Sequence, residues 1–236
     1  MTDASQNDLD RRVAGVQQHY QDFDPHPAGD DTSDGWIKAL PITQAILGWV
    51  GTGNRVLDLG CHAGDISALI RDLGNTVIGV DLPDLAAEAR RKHGIEAIGH
   101  NLNEPFPFDV AAFDVVVTAS VLDDIPDDLA YLRECCRVLR PGGHVIVVVP
   151  NEASWFRRIQ LLFGGMSRNF TLPTGYHTLH WYTLKGIKSL LGVAGFTVAA
   201  HRKCPKRYSN LPLRYWIEKI LPTTFATDLA IKASKR

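Results

Sequence analysis

The sequence predicts an α/β protein built on a doubly wound, mainly parallel sheet, and three observations carry that reading. The stretch 55–67, RVLDLGCHAGDIS, opens with Val56, Leu57 and Leu59, the short apolar run that a fully buried parallel strand needs. It turns on Gly60 and Gly64 into a helical segment, with Asp65 as the expected N-cap and Ile66, Leu69 and Ile70 facing inward. A second apolar strand, 75–82, ends in Asp81, and strands then alternate with amphipathic segments as far as Pro150.

A strand that turns on glycines into a helix leaves backbone N–H groups facing a crevice, with the positive end of the helix dipole behind them. In open α/β sheets that crevice lies at the carboxyl ends of the strands, where ligands bind. Asp81 follows the turn by about 20 residues, the spacing at which a carboxylate ending the next strand meets a ribose diol. The dinucleotide fingerprint is missing. A G-x-G-x-x-G pattern starting at Gly60 requires glycine where the chain has His62 and Asp65, which argues against NAD or FAD.

Taken in order, residues 1–35 are polar, with Leu9, Val13, Val16 and Tyr20 at helical spacing before a Pro-, Gly- and Asp-rich loop at 22–35. A second helix is expected over 36–50, so that 1–50 reads as a helical flap ahead of a domain at 51–236. After Asp81, Pro83 suits a helix start and 85–93 is the helix. The third strand is expected at 95–98 and the fourth at 113–119. An amphipathic helix spans 127–139, with Leu129, Leu132, Cys136 and Leu139 on one face. RPGG at 140–143 stops it, and the fifth strand runs over 144–149. Beyond Pro150 come a helix at 155–163, an irregular stretch inside an insert at 151–183, and a helix at 183–194. A strand at 196–202, a helix at 213–221 and a strand at 228–234 complete the chain, the two strands joining as an antiparallel pair at the sheet edge.

The chain is long enough for one large α/β domain, and its 45% hydrophobic and 22% charged residues match that class. A net charge of -1 gives no bulk attraction to nucleic acid, although aspartates crowd the first 35 residues and lysines and arginines the last 35. Four cysteines without C-x-x-C spacing point to reduced thiols, not to a disulfide framework or a zinc site. The N-terminus has no apolar core of a signal peptide and no apolar stretch reaches the length of a membrane span, so a cytoplasmic location is expected.

With these segments placed, the chain resembles the class I S-adenosylmethionine (SAM)-dependent methyltransferases, especially the small methyltransferase-domain families. The resemblance rests on VLDLGCHAG, VIGVDL, FDVVVTASVLDDIPD, RVLRPGGHVIVVVPN and GYHTLHWYTLKGIKSLLGVAGF, in that order. It implies a Rossmann-like seven-stranded sheet of order 3-2-1-4-5-7-6 with the last-numbered strand antiparallel. It also implies SAM as cofactor, S-adenosylhomocysteine as product, and a small-molecule or glycan-type acceptor methylated on oxygen or nitrogen. PNEASWFRRIQLLFGG is similar, in addition, to methyltransferase-like proteins of methionine biosynthesis, some of which are partners of an acyltransferase. A SAM-binding partner subunit without turnover is therefore the second reading. A nucleic-acid methyltransferase is the third, and it lacks an Arg-rich stripe. The oligomeric state is left open.

Carried over by position, Asp58, Gly60, Cys61, His62 and Gly64 form the loop around the methionine half of SAM, His62 standing where relatives have a glycine. Asp81 holds the ribose hydroxyls and Leu82 flanks the adenine. Asn101, usually an acid in the family, meets the adenine amino group beside the Leu102 backbone, and Ser120 and Val121 lie near the carboxylate and methyl. Asp123 and Asp124 replace an acid–histidine pair. Either Asp124 serves as a general base, or one acid caps the next helix while the other is solvated. His177 and His180 are base or substrate-orienting candidates over the acceptor pocket, the alternative being that Trp181 and Tyr182 anchor this loop while both histidines face water.

Overall fold

The apolar runs form strands β1 (Arg55–Leu59), β2 (Thr76–Asp81), β3 (Glu96–Gly99), β4 (Phe113–Ala119), β5 (Leu139–Pro150), β6 (Phe196–Cys204) and β7 (Asp228–Lys235). Helices α1 (Pro41–Val50), α2 (Asp65–Asp72), α3 (Pro83–His93), α4 (Asp128–Val138), α5 (Trp155–Leu162) and α6 (Leu184–Val193) surround them. The structure, a computed structural model, describes residues 40–163, 179–204 and 226–236. The helices expected within 1–35 and at 213–221, and the irregular stretch at 164–178 with His177, lie outside the described residues.

The strands make one seven-stranded sheet of order β3-β2-β1-β4-β5-β7-β6. Strands β1 to β5 pair in parallel, and β7 runs antiparallel between β5 and β6. This is the Rossmann-like arrangement expected above. Strand alternation sorts the core into two layers. Leu57, Leu59, Val80, Val116, Val145 and Val147 face α4 and α6, which contribute Leu132, Cys135, Ile187 and Leu191. Val56, Val77, Val115, Val117, Ile146 and Val148 face α1 and α2, which contribute Ala45, Ile46, Val50 and Ile70. The helix Pro41–Val50, grouped with the flap on sequence, thus supplies part of this second layer. Small residues Ala86, Ala89 and Ala97 let α3 lie close on the β2–β3 edge.

Three local expectations are corrected. Asp65 does not cap α2: Gly64 does, in the left-handed region at φ 86°, and no side chain caps the helix. The Asp65 carboxylate instead accepts from Lys92 Nζ and meets His93 Nε2, both at 2.8 Å, joining the first turn of α2 to the end of α3. Strand β5 starts at Leu139, not His144, because Leu139 pairs with Phe113 before a register shift lets 140–143 bulge out. Arg140 holds that bulge through Asp114 Oδ1 at 2.7 Å. Third, the cap of α4 is Asp127, which accepts from the Ala130 N–H at 2.8 Å.

No helix separates β3 from β4, and side chains organise the loop instead. Arg137 donates to the carbonyls of Phe108 (2.8 Å) and Phe106 (3.0 Å), while Glu134 accepts from the Phe106 N–H at 3.0 Å. Phe106 and Phe108 pack edge-on against Tyr131 and Phe113.

Ile146 is fully buried at the centre of the second layer, so Ile146→Ala removes apolar contacts and leaves a cavity. Denaturant unfolding is expected to show a loss of roughly 2–5 kcal/mol. Val193→Ala, at a position 62% exposed, is expected to leave the midpoint nearly unchanged.

Candidate functional site

The turn after β1 is held by the end of β2. The Gly60 and Cys61 N–H groups both reach the Val80 carbonyl, at 2.8 and 3.2 Å. Asp81 then receives the His62 N–H on Oδ2 at 2.8 Å and the Leu82 N–H on Oδ1 at 2.7 Å. His62 has φ 48°, in the left-handed region where glycine is the usual occupant. Gly60 has φ 76°, and a Cβ there would overlap Val121 Cγ2, so glycine is required on steric as well as conformational grounds.

Beneath this turn lies Asp58, which is 3% exposed and accepts from Ser67 Oγ at 2.5 Å. Burial pushes its carboxyl up to about 6; the Ser67 bond pulls the other way, and the nearby Asp81 charge adds to the rise. Burial also raises Asp81, against the pull of the two backbone N–H groups. Ser67 was missed on sequence; a hydroxyl on the first turns of the helix behind the loop was the available signal.

On the far side of the sheet's switch point, Ser120 adopts φ 58° and donates its N–H to Val148 O at 2.9 Å, which turns the chain sharply after β4. A single 3-10 turn, Leu122–Asp124, follows. Neither acid of this turn caps α4, so the capping alternative for them falls. Asp123 is buried and Asp124 partly buried, and neither is fully solvated. The Asp123 carbonyl accepts two N–H groups, from Leu179 at 2.9 Å and His180 at 3.0 Å. This brings segment 179–183 against the loop after β4.

His180 Nε2 lies 3.3 Å from Pro126 O, and its Nδ1 lies 3.9 Å from Asp128 Oδ2. Tyr182 is buried, donates its hydroxyl to Asp128 Oδ2 at 2.7 Å and pairs by a bridge with Asn151 at the end of β5. Burial, reinforced by that bond to Asp128, raises its phenol. Tyr182 therefore anchors the segment in the core, whereas Trp181 is 51% exposed. Asn101, beyond β3, turns back on its own loop: its side-chain oxygen accepts from the Asn103 N–H at 3.1 Å. Leu102 packs against the core beside it. Among the described residues no group of three or more His, Cys, Asp or Glu side chains could hold a metal ion.

A family model described as "Methyltransferase domain" matches residues 38–201, which include the turn, Asp81, the loop after β4 and segment 179–183. The chain belongs to the class I SAM-dependent methyltransferases. A probable S-adenosylmethionine-dependent methyltransferase of Mycolicibacterium smegmatis is 32% identical over 121 residues, 51% of this chain and 47% of that protein. A ubiquinone biosynthesis O-methyltransferase of Cupriavidus pinatubonensis is 33% identical over 117 residues, 45% of this chain and 47% of its own. The chain thus spans about half the length of the curated relatives it matches. Among solved structures, a Thermotoga maritima SAM-dependent methyltransferase shares the fold at a TM-score of 0.70 and 16% identity, covering 94% of this chain and 99% of its own. The Burkholderia thailandensis 1,6-didemethyltoxoflavin-N1-methyltransferase, solved with S-adenosylhomocysteine, does so at 0.65 and 19%, covering 100% of this chain and 91% of its own.

Folded Asp58 keeps its proton to higher pH than the unfolded side chain with its ordinary value of 3.8. Its burial therefore opposes folding as pH rises from about 4, and fully so above about 6, by on the order of 3 kcal/mol. Asp58→Asn keeps an acceptor for Ser67 and removes that penalty. Thermal melts are expected to place the variant above the parent near pH 7, with the gap closing toward pH 4.

Proposed function

We propose that this protein is a SAM-dependent methyltransferase acting on oxygen or nitrogen of a small-molecule acceptor. The observation that carries the reading is the Asp81 arrangement, a carboxylate fixed by two backbone N–H groups at the mouth of the β1 turn. Each of its oxygens retains a lone pair for a ribose hydroxyl, which is the chemistry the cofactor's sugar requires. The buried Asp58 carboxyl beside it and the backbone of 60–64 fit the methionine half. The Asn101 amide and Leu102 are proposed for the adenine side, Leu82 flanking it, and Ser120 and Val121 for the region next to the acceptor.

SAM, when bound, supplies a methyl group already activated on a sulfonium. What this chain must do is bind and orient the acceptor and exclude water, and orientation contributes roughly 7–11 kcal/mol to lowering such barriers. Names of relatives favour oxygen, as in the ubiquinone biosynthesis O-methyltransferases, while one structural neighbour is named for a nitrogen acceptor. Asp124 is proposed as the base that takes a hydroxyl proton. Protein acceptors near both ring nitrogens of His180 support an orienting role for it, and His177 is kept as a second candidate on the same segment.

Calorimetry with SAM tests the cofactor reading. Charge-assisted hydrogen bonds are worth roughly 1.5–3 kcal/mol each, so Asp81→Ala is expected to weaken binding about tenfold or more. Asp81→Asn, which retains an acceptor for the turn, is expected to fall between. Equal affinity in a folded Asp81→Ala variant would reject the ribose assignment.

Labelled SAM incubated with a fractionated metabolite extract identifies the acceptor. With it in hand, Asp124→Asn is expected to lower kcat by ~10²–10⁴ without changing SAM affinity. His180→Ala is expected to raise the acceptor KM more than it lowers kcat. Unchanged kinetics in both would remove them from the mechanism.

A further inference from the structure

We propose that the rim around the acceptor side of the sheet docks the protein on an anionic lipid bilayer. Eight large apolar side chains are exposed among the described residues, and five of them belong to the two segments that adjoin this end of the sheet: Leu161 (65%), Leu162 (81%), Phe163 (87%), Leu179 (45%) and Trp181 (51%). Isolated exposed apolar residues are ordinary, but three consecutive ones ending an amphipathic helix are not scattered. Helix α5 leaves the carboxyl end of β5 only a few residues after Pro150. Leu179 is tied to the same end of the sheet through Asp123 O, and Trp181 sits next to Tyr182, which bridges to Asn151. The apolar rim and the candidate acceptor site therefore share one end of the molecule.

Charge points to the same partner. Over the described residues 153–163 and 179–204 the chain carries six lysines and arginines and no aspartate or glutamate, although the net charge of the whole is -1. Arg158 on α5 and Lys185 at the start of α6 are exposed, while Arg157 lies 3.5 Å from Glu152. On the edge strand β6, Lys203 lies close enough, with Lys188 of α6, to act on His201. Positive charge beside aliphatic side chains is the composition of a surface that lies in the lipid headgroup layer. Nucleic acid would use the same charge and could stack on Phe163 and Trp181, but it gains nothing from Leu161, Leu162 and Leu179, aliphatic side chains that a hydrocarbon layer takes out of water. No described helix is long and apolar enough to cross a membrane, so the association is with the surface.

The test is flotation of the full chain with phosphatidylcholine vesicles containing about 30% phosphatidylglycerol, and with phosphatidylcholine alone. Binding is expected to the anionic vesicles, weaker in high salt, with tryptophan emission quenched by brominated lipid and less so in Trp181→Phe. Leu162→Glu/Phe163→Glu changes side chains that are already largely in water, so the melting temperature is expected to hold while partition falls about tenfold or more. Arg158→Glu/Lys185→Glu is expected to reduce binding to the level seen on neutral vesicles. The proposal is overturned if the parent does not float with anionic vesicles, if brominated lipid leaves its emission unquenched, or if Leu162→Glu/Phe163→Glu floats as the parent does. Binding to RNA that outcompetes the vesicles and ignores Leu162→Glu/Phe163→Glu would overturn it too, and would assign the charge to nucleic acid. SAM calorimetry on the same variants keeps a failure here separate from a failure of the cofactor reading.

Discussion

The Asp81 carboxylate ties three parts of the chain together at one point. It ends β2, accepts from His62 in the turn after β1, and accepts from Leu82 at the entry to α3. The register Leu59↔Val80 sets the two strand ends level, so that Gly60 and Cys61 reach Val80 O before the chain bends back to Asp81. A left-handed residue other than glycine costs about 1–2 kcal/mol, and at His62 the N–H bond to a fixed anion offsets it. Loss of that anion would leave the left-handed His62 without the bond that offsets its conformation, while Gly60 and Cys61 would still be held by Val80 O.

Such a site is expensive to build. Asp58 and Asp81 are both withdrawn from water, which raises both carboxyls, and the Asp81 charge further disfavours ionisation of Asp58. Buried charge of this kind is retained where a ligand restores the balance. Two carboxyl groups a strand apart, with backbone N–H groups between them, complement a ligand that carries both positive charge and hydroxyl groups. Neighbouring positions could not relax the strain: Gly79 is crowded by Cys61 Sγ and Gly64 by the Ala89 methyl, so the turn is packed from behind by α3 and β2. Stability spent on Asp58 is thus localised to the part of the fold that faces a ligand.

How much of this was legible in sequence depended on whether the deciding contact was local. The strands from β1 to β4 are continuous apolar runs bounded by glycine, proline and acids, and their limits fell within a residue or two of those predicted. Asp65 looked like a cap because acids precede many helices, but the left-handed φ of Gly64 already starts α2, and Lys92 and His93, far along the chain, claim the carboxylate. The start of β5 was hidden because RPGG reads as a stop signal, whereas Leu139 pairs with Phe113 across the bulge. The order β5-β7-β6 came from the resemblance; periodicity alone could not place β7 inside the edge, because that choice is made by pairing to β5. The resemblance implied glycine at the place of His62, and only the Asp81 bond shows how the left-handed turn is held there without one.

Segment 179–183 is tied to the turn after β1 through a strap of four residues, 121–124. Val121 fills the space that glycine leaves at position 60, and two residues later Asp123 O receives both Leu179 and His180. Leu122, between them, is fully buried, so the strap cannot shift as a loop would. Its other end runs into Asp127 and Asp128, of which the first caps α4 and the second holds Tyr182. The position of segment 179–183 is therefore set by the same short turn that closes over Gly60, with core packing beneath it and a helix cap beyond it. A substitution that moved Val121 would act on segment 179–183 through this turn, which makes the placement of that segment relative to the β1 turn a property of the core and not of flexible loops.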